Sequence, residues 1–229
     1  MNSLSRVCLA LCLGLLLTSL PFAAWGASVV ACHCFQDRQF DPARPAAADP
    51  YLLATLQNRL IAAAFAVPRQ EIVRRKMSGA AGDRLWIGLW LARAGGRPPG
   101  EGLTVSGPWV EAAARFGADP ERLGTTFVAR MTEGADDAAL AAAVVEEILA
   151  GWFGAERSDI RALRAGGADG RELVAAALLA GATGQGSLAE VLRQARHDGS
   201  WGVRMNQAGL TLEQLDAWMQ GRLAASRPR

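Results

Sequence analysis

The stretch LWIGLWLA at residues 85–92 decides the fold, together with a second stretch, LVAAALLA, at residues 173–180. A helix formed by either stretch is apolar on every face, and such a helix is buried in the middle of its unit with amphipathic helices around it. The two stretches are 88 residues apart. The sequence therefore predicts a helical fold that is built twice.

The repeat extends beyond these two stretches. At the spacing of 88 residues, identical residues match at Phe65/Phe153, Ile72/Ile160, Gly79/Gly167, Gly82/Gly170, Leu85/Leu173, Leu91/Leu179 and Gly96/Gly184. At a spacing of 92 residues, they match at Trp109/Trp201, Gly117/Gly209, Glu121/Glu213 and Leu123/Leu215. A four-residue difference in one connection explains the change of spacing. We predict two tandem, duplicated units at 49–134 and 135–223, packed as a helical bundle or a short solenoid, and a disordered tail at 224–229.

Helix start signals divide each unit. Asp49-Pro50 and Asp119-Pro120 place a capping carboxylate before a proline at the first helical position. Ser187 and Glu190 have the spacing of a capping box. No stretch alternates in the manner of a strand, so the predicted class is all-α. The predicted helices lie at about 50–66, 69–78, 83–94, 108–117, 120–133, 136–154, 157–165, 170–182, 187–197, 200–208 and 211–223.

The two units differ at one connection. Residues 95–107, GGRPPGEGLTVSG, form a Pro/Gly-rich loop in the first unit, where the second unit has the predicted helix 187–197. Loops tolerate change and often carry binding residues. We therefore expect any binding or functional residues that distinguish the two units to lie on the loop face of the first unit.

The N-terminus predicts export. Arg6 precedes a charge-free run, Val7–Ala31, whose apolar part ends before Pro21. We expect cleavage after Ala24-Trp25-Gly26, which removes a signal peptide at 1–26 and leaves the protein in the periplasm or cell envelope. Two alternatives are lipidation of Cys32 and an uncleaved anchor, since the charge-free run exceeds the roughly 20 residues that span a bilayer.

Composition limits the function classes. The chain has 24 Lys and Arg against 22 Asp and Glu, and this balance predicts no nucleic-acid partner. Removal of the signal peptide takes away Cys8 and Cys12, and the remaining 2 Cys and 2 His exclude a scaffold of many disulfides and disfavour a buried zinc site with several protein ligands. Lys76 is the only lysine, which we attribute to genomic base composition.

Cys32, His33 and Cys34 are the one cluster of soft ligands. Two thiolates beside an imidazole would bind Cu(I) or Zn(II), with the remaining positions filled by another molecule. The alternatives are a strained disulfide between the two cysteines, disulfides between chains, or lipidation of Cys32. We predict that an extended, largely polyproline II arm at 27–48 carries the cluster, with Phe35 and Phe40 holding it to the surface. We expect no other cofactor.

The remaining polar and aromatic candidates have structural explanations. His197 lies at a predicted helix C-terminus, where a cation interacts favourably with the helix dipole. Glu146-Glu147 and Asp136-Asp137 are adjacent pairs, so their side chains diverge, and we interpret them as a solvated face and a helix start. Core positions are predicted for Trp86, Trp90, Trp152, Trp201 and Trp218. We nominate no catalytic residue.

These observations favour a non-enzymatic, exported helical protein that presents a surface to another envelope protein. The alternative is a periplasmic metal-binding or thiol-redox protein that uses Cys32, His33 and Cys34. In either case we expect contact with a membrane only through a lipid or an uncleaved N-terminal anchor.

Overall fold

The computed structural model describes residues 40–225, and every regular element in this range is a helix. The absence of strands from these residues confirms the predicted all-α class. In chain order the helices are α1 Asp49–Phe65, α2 Arg69–Met77, α3 Gly82–Ala94, α4 Pro99–Gly102, α5 Trp109–Phe116, α6 Pro120–Leu123, α7 Thr125–Thr132, α8 Asp137–Phe153, α9 Arg157–Ala165, α10 Gly170–Thr183, α11 Leu188–His197, α12 Trp201–Gln207 and α13 Leu212–Ala225.

Local capping chemistry starts several of these helices. Asp136 accepts a hydrogen bond from the Ala139 amide before α8. Asp169 and Glu172 form a reciprocal capping box before α10, so two otherwise unpaired amides are satisfied. Most predicted boundaries agree with the observed ones to within one or two residues. The exception is the predicted helix 120–133, which breaks at Gly124 into α6 and α7.

Two other segments differ from the predictions. The loop at 95–107 contains a short helix, α4. Residues 42–48, predicted as part of the extended arm, form turns with a bend at residue 44, in which the amides of Arg44 and Ala47 donate to the carbonyls of Asp41 and Arg44 at 3.0 Å each. The prediction of an extended arm is therefore wrong for these residues. α13 continues to Ala225, into the predicted tail.

The predicted signal peptide, the remainder of the arm up to residue 39 and the last four residues lie outside the described range. Among the helices between residues 40 and 225, none has the length and apolar character needed to span a bilayer.

One hydrophobic core contains both apolar stretches. Every residue of 85–92 in α3 is buried, and so are residues 173–179 in α10. The long helix that packs most closely on each comes from the other half of the chain: α8 lies against α3, and α1 lies against α10. A helix that is apolar all round needs cover on every side, and the neighbouring half supplies much of it.

Two aspartates tie the halves together. The carboxylate of Asp49, at the start of α1, accepts from the amides of Trp201 and Gly202 at 2.7 and 2.9 Å. The carboxylate of Asp137, at the start of α8, accepts from Nε1 of Trp109 at 2.6 Å. Each long helix is therefore anchored at its N-terminal end to residues of the opposite half.

Candidate functional site

The predicted metal ligands Cys32, His33 and Cys34 lie outside the described residues, so the metal, disulfide and lipidation hypotheses stay predictions. Within residues 40–225, no three His, Cys, Asp or Glu side chains are grouped as metal ligands. His197 ends α11 at the predicted helix terminus, and its Nδ1 lies 3.3 Å from Oδ1 of Asp198.

Of the five tryptophans predicted for the core, three are buried, and Trp152 and Trp218 are only partly buried against it. Trp86 is 1% exposed and Trp201 is 5% exposed, which places both in the core as predicted. Trp90 is also buried, but part of its ring borders a surface cleft of about 390 Å³. Trp152 is only half-buried and lines the same cleft.

This Trp/Arg cleft is lined by Trp90, Arg93, Ala94, Arg122 and Trp152. The C-terminal end of α3 contributes the first three residues, α6 contributes Arg122, and the C-terminal end of α8 contributes Trp152. The cleft forms because α8 crosses onto α3 and brings its last turn beside the last turn of α3. Its walls therefore come from the two halves of the chain.

Hydrogen bonds and ring contacts hold the walls in place. Nε1 of Trp90 donates to the Leu123 carbonyl at 3.1 Å, which fixes the ring and satisfies its one polar group. The Trp90 and Trp152 ring centroids are 6.2 Å apart, with ring planes tilted by 52°. The Arg93 guanidinium lies 4.5 Å over the Trp152 ring, and its Nη1 donates to the Ala64 carbonyl at 3.2 Å. These contacts fix the positions of the Trp90 ring and the Arg93 guanidinium.

The cleft carries positive charge. Among the described residues that line it, two carry guanidinium groups and none carries a carboxylate. Arg93 is exposed, and the Arg122 side chain is 67% exposed, with its Nε 3.6 Å from Oδ2 of Asp119. Guanidinium groups bind carboxylates and phosphates through parallel N–H bonds and also stack on aromatic faces. The arrangement suits a planar group that carries negative charge.

Lys76 forms a second polar cluster, which sequence reasoning missed. Its Nζ donates to Oδ1 of Asn58 at 2.7 Å and to Oε1 of Gln57 at 3.1 Å. Burial, and then the nearby charge of Arg171, lowers the pKa of Lys76 to about 8, because two neutral amide oxygens do not replace the hydration of an ammonium. The only available signal was that the chain contains a single lysine among many arginines.

The interpretation of Glu146 and Glu147 as a solvated face is wrong. Glu146 is fully buried and accepts from Nε and Nη2 of Arg161 at 2.9 and 2.6 Å. Glu147 accepts two bonds from Arg157, at 2.9 and 2.8 Å. The predicted divergence is wrong as well, because both carboxylates lie beside Arg157 of α9, with Nη1 of Arg157 3.6 Å from Oε1 of Glu146. They are structural ion pairs between neighbouring helices.

Comparisons with known proteins find no matching family model, no similar curated protein and no similar solved structure. Function is therefore inferred from the chain's own residues and geometry. Of the three polar clusters, the Trp/Arg cleft combines accessible aromatic surface with accessible cations, and this makes it the candidate binding site.

Proposed function

We propose that this chain is an exported helical protein of the cell envelope that binds another envelope protein through the Trp/Arg cleft and does not catalyse a reaction. The cleft carries the proposal, because Trp and Arg are the residues most enriched at the energetic centres of protein interfaces. Rigid aromatic side chains contribute contact area at little cost in conformational entropy. The charge-free run Val7–Ala31 after Arg6 supports export.

We propose further that the two predicted units arose by duplication. α1 and α8 both have 17 residues and begin 88 residues apart, and α2 and α9 both have 9 residues and begin at the same spacing. Left-handed backbone conformations recur at matching positions. Gly96 and Gly184 have φ of 63° and 65°, and Gly117 and Gly209 have φ of 62° and 63°. These agreements in length, spacing and backbone conformation support a common origin for the halves.

The contacts between halves support a bundle with approximate twofold symmetry in preference to a solenoid. Asp49 and Asp137 are 88 residues apart, and each binds a tryptophan-containing segment of the opposite half. The two tryptophans concerned, Trp201 and Trp109, are 92 residues apart. In a solenoid each repeat stacks on its neighbours in sequence, whereas here the first helix of each half covers the central helix of the other.

Photo-cross-linking in cells tests the partner proposal. A photoreactive residue replaces Glu121, an exposed residue of α6 next to Arg122, and a control chain carries it at Arg97, which pairs with Glu101 outside the lining. We expect one discrete envelope cross-link from position 121, absent from position 97 and lost when Trp152→Ala is added. Equal cross-linking from both positions, or none from position 121, contradicts binding at the cleft.

The intact mass of the mature protein tests export and processing. Cleavage after Gly26 predicts a mature chain that starts at Ala27, whereas lipidation predicts a chain that starts at an acylated Cys32. A full-length chain recovered from the membrane supports the uncleaved anchor. A full-length chain recovered from the cytosol contradicts export altogether.

The alternative function is soft-metal binding or thiol-disulfide exchange by Cys32, His33 and Cys34. The residues that follow this cluster contact the helical body, which supports this alternative. The Phe40 ring lies against Gly202, where an added Cβ would be 2.9 Å from it, and the Ser200 hydroxyl donates to the Pro45 carbonyl. Five residues lie between Cys34 and Phe40, and a fully extended chain of this length spans about 20 Å.

Metal titration and thiol counting test this alternative. The full chain is titrated with Zn(II) and, under anaerobic conditions, with Cu(I), and its thiols are counted before and after reduction. We expect one metal per chain, or a disulfide that re-forms reversibly, and either property is lost in Cys32→Ser and Cys34→Ser. Wild-type protein that shows neither property removes the alternative.

A further inference from the structure

We propose that the Trp/Arg cleft recognises an aromatic side chain next to a carboxylate in an acidic segment of the partner protein. This inference rests on the proposed function, because it names the chemistry of the partner at the same site. The cleft, at about 390 Å³, lies at the lower end of the roughly 300–1,000 Å³ typical of ligand sites. It therefore accommodates one ring and its flanking charge, and a long segment would extend beyond it.

The walls account for the aromatic part. The centroids of Trp90 and Trp152 are 6.2 Å apart, so these two rings contact each other and a third ring would pack against both of them where they border the cleft. Aromatic rings prefer offset-stacked or edge-to-face contacts, with centroids about 4.5–7 Å apart. Nε1 of Trp90 already donates to a backbone carbonyl, so a ring inserted here leaves that group paired.

The arginines account for the charge. Arg93 is held over the Trp152 ring and by the Ala64 carbonyl, which places its guanidinium at the edge of the aromatic wall. Arg122 lies on the opposite element, α6, and is largely exposed. A carboxylate attached to a ring in the cleft would therefore lie within reach of a guanidinium on either side. A cationic segment would be repelled by both.

A comparison of the two halves supports an indole-sized ring. Gly181 is 88 residues after Arg93, and there the chain covers the position with its own Trp218, whose ring would lie 2.4 Å from a Cβ at Gly181. The residue 92 before Trp218 is Thr126, which instead accepts from an arginine of α9. Among the described residues, the second half therefore covers this position with an indole of its own chain, whereas the matching residue of the first half, Arg93, borders the cleft.

A set of short peptides tests the proposal with the full chain. The probes are acetyl-Asp-Trp-Asp-amide, acetyl-Lys-Trp-Lys-amide and acetyl-Asp-Ala-Asp-amide, titrated into the protein by calorimetry and by NMR of the tryptophan indole N–H groups. We expect a Kd on the order of 1 mM or below for the first peptide. Binding of the other two should be at least about tenfold weaker, since each lacks one of the two recognised groups.

Matched variants locate the binding. Arg122→Gln and Arg93→Gln should each weaken the acidic tryptophan peptide about fivefold or more, and the control Arg97→Gln should leave it unchanged. Thermal melts check that each variant is folded. Arg93→Gln could unfold because its bond to the Ala64 carbonyl is lost. In that case, the binding of the acidic peptide to Arg122→Gln and the comparison of the three peptides on the wild-type chain test the inference.

Two results would overturn the inference: equal binding of the acidic and basic tryptophan peptides, or unchanged binding in Arg122→Gln. Its failure can be distinguished from failure of the proposed function. A cross-link from position 121 without any preference among the peptides leaves the function standing and removes only the chemistry named here. The absence of that cross-link removes the function whatever the peptides show.

Discussion

Replacing Asp49 with alanine should destabilise the whole fold, although the side chain lies at the first position of a helix, where most substitutions are mild. Its carboxylate accepts from the amides of Trp201 and Gly202 and from the Ser200 hydroxyl, at 2.7, 2.9 and 3.0 Å. These amides are the first two of α12 and have no partner within that helix. Alanine therefore leaves two donors of the opposite half unpaired.

The structure allows the magnitude to be worked out. A hydrogen bond to a charged acceptor contributes about 1.5–3 kcal/mol. Two such bonds to backbone amides would give about 3–6 kcal/mol, but water can reach a helix N-terminus in part, so we expect a loss of about 2–4 kcal/mol. Ser200 keeps its bond to the Pro45 carbonyl and adds little to the loss. For a domain of this size, the expected fall in Tm is on the order of 10 °C.

Urea denaturation followed by circular dichroism measures the effect, with two variants for comparison. Asp49→Asn keeps one acceptor oxygen, so it should lose about half as much as Asp49→Ala. Asp119→Ala removes a capping bond to the Glu121 amide within the same half and should cost about 1 kcal/mol. If Asp49→Ala costs no more than Asp119→Ala, the contact between halves does not stabilise the fold as argued.

The other predictions concern buried positions. Burial lowers the pKa of Lys76 to about 8, so between about pH 8 and pH 10.5 the unfolded chain binds more protons than the folded one and stability should rise with pH. At 1.36 kcal/mol per pKa unit, the free energy of unfolding should rise by at most about 3 kcal/mol. Urea denaturation at about pH 7 and about pH 10 measures this rise, and Lys76→Met should abolish it. An unchanged rise in Lys76→Met would exclude Lys76 as its source. A Cβ at Gly88 would lie 2.2 Å from the Gly102 carbonyl oxygen, so Gly88→Ala should cost about 2–4 kcal/mol by forcing α4 away from α3. Gly100→Ala is the matched control, since a Cβ there meets nothing within 4 Å, and equal unfolding midpoints for the two variants would contradict the steric argument.

The helices could be predicted because their signals are local. A capping carboxylate, a proline in the first turn and a glycine after the last turn act within a few residues, whatever the rest of the chain does. The break at Gly124 is not local. Its φ is 83°, and a Cβ there would lie 2.7 Å from the Glu147 carboxyl group, so the position depends on a residue of α8. Nothing between residues 120 and 133 signals that approach.

The candidate site could be predicted only in part. Trp90 belongs to an apolar stretch and was correctly placed in the core, but its contact with Trp152 depends on how α8 crosses α3. The burial of Glu146 and Lys76 likewise depends on which helix covers them. Sequence patterns report which face of a helix is apolar, and they do not report which helix will cover that face.

The helical class and most helix ends follow from the amino-acid sequence, because they depend on interactions between near neighbours and on the period of apolar residues, and the 88- and 92-residue spacings are visible in the same chain. That each half covers the core of the other becomes evident only from the packed helices. Several packings of such similar helices are conceivable. Contacts between residues far apart in the chain, such as the hydrogen bond from the Trp201 amide to Asp49, select the observed one. The cleft between α3, α6 and α8 follows from that choice.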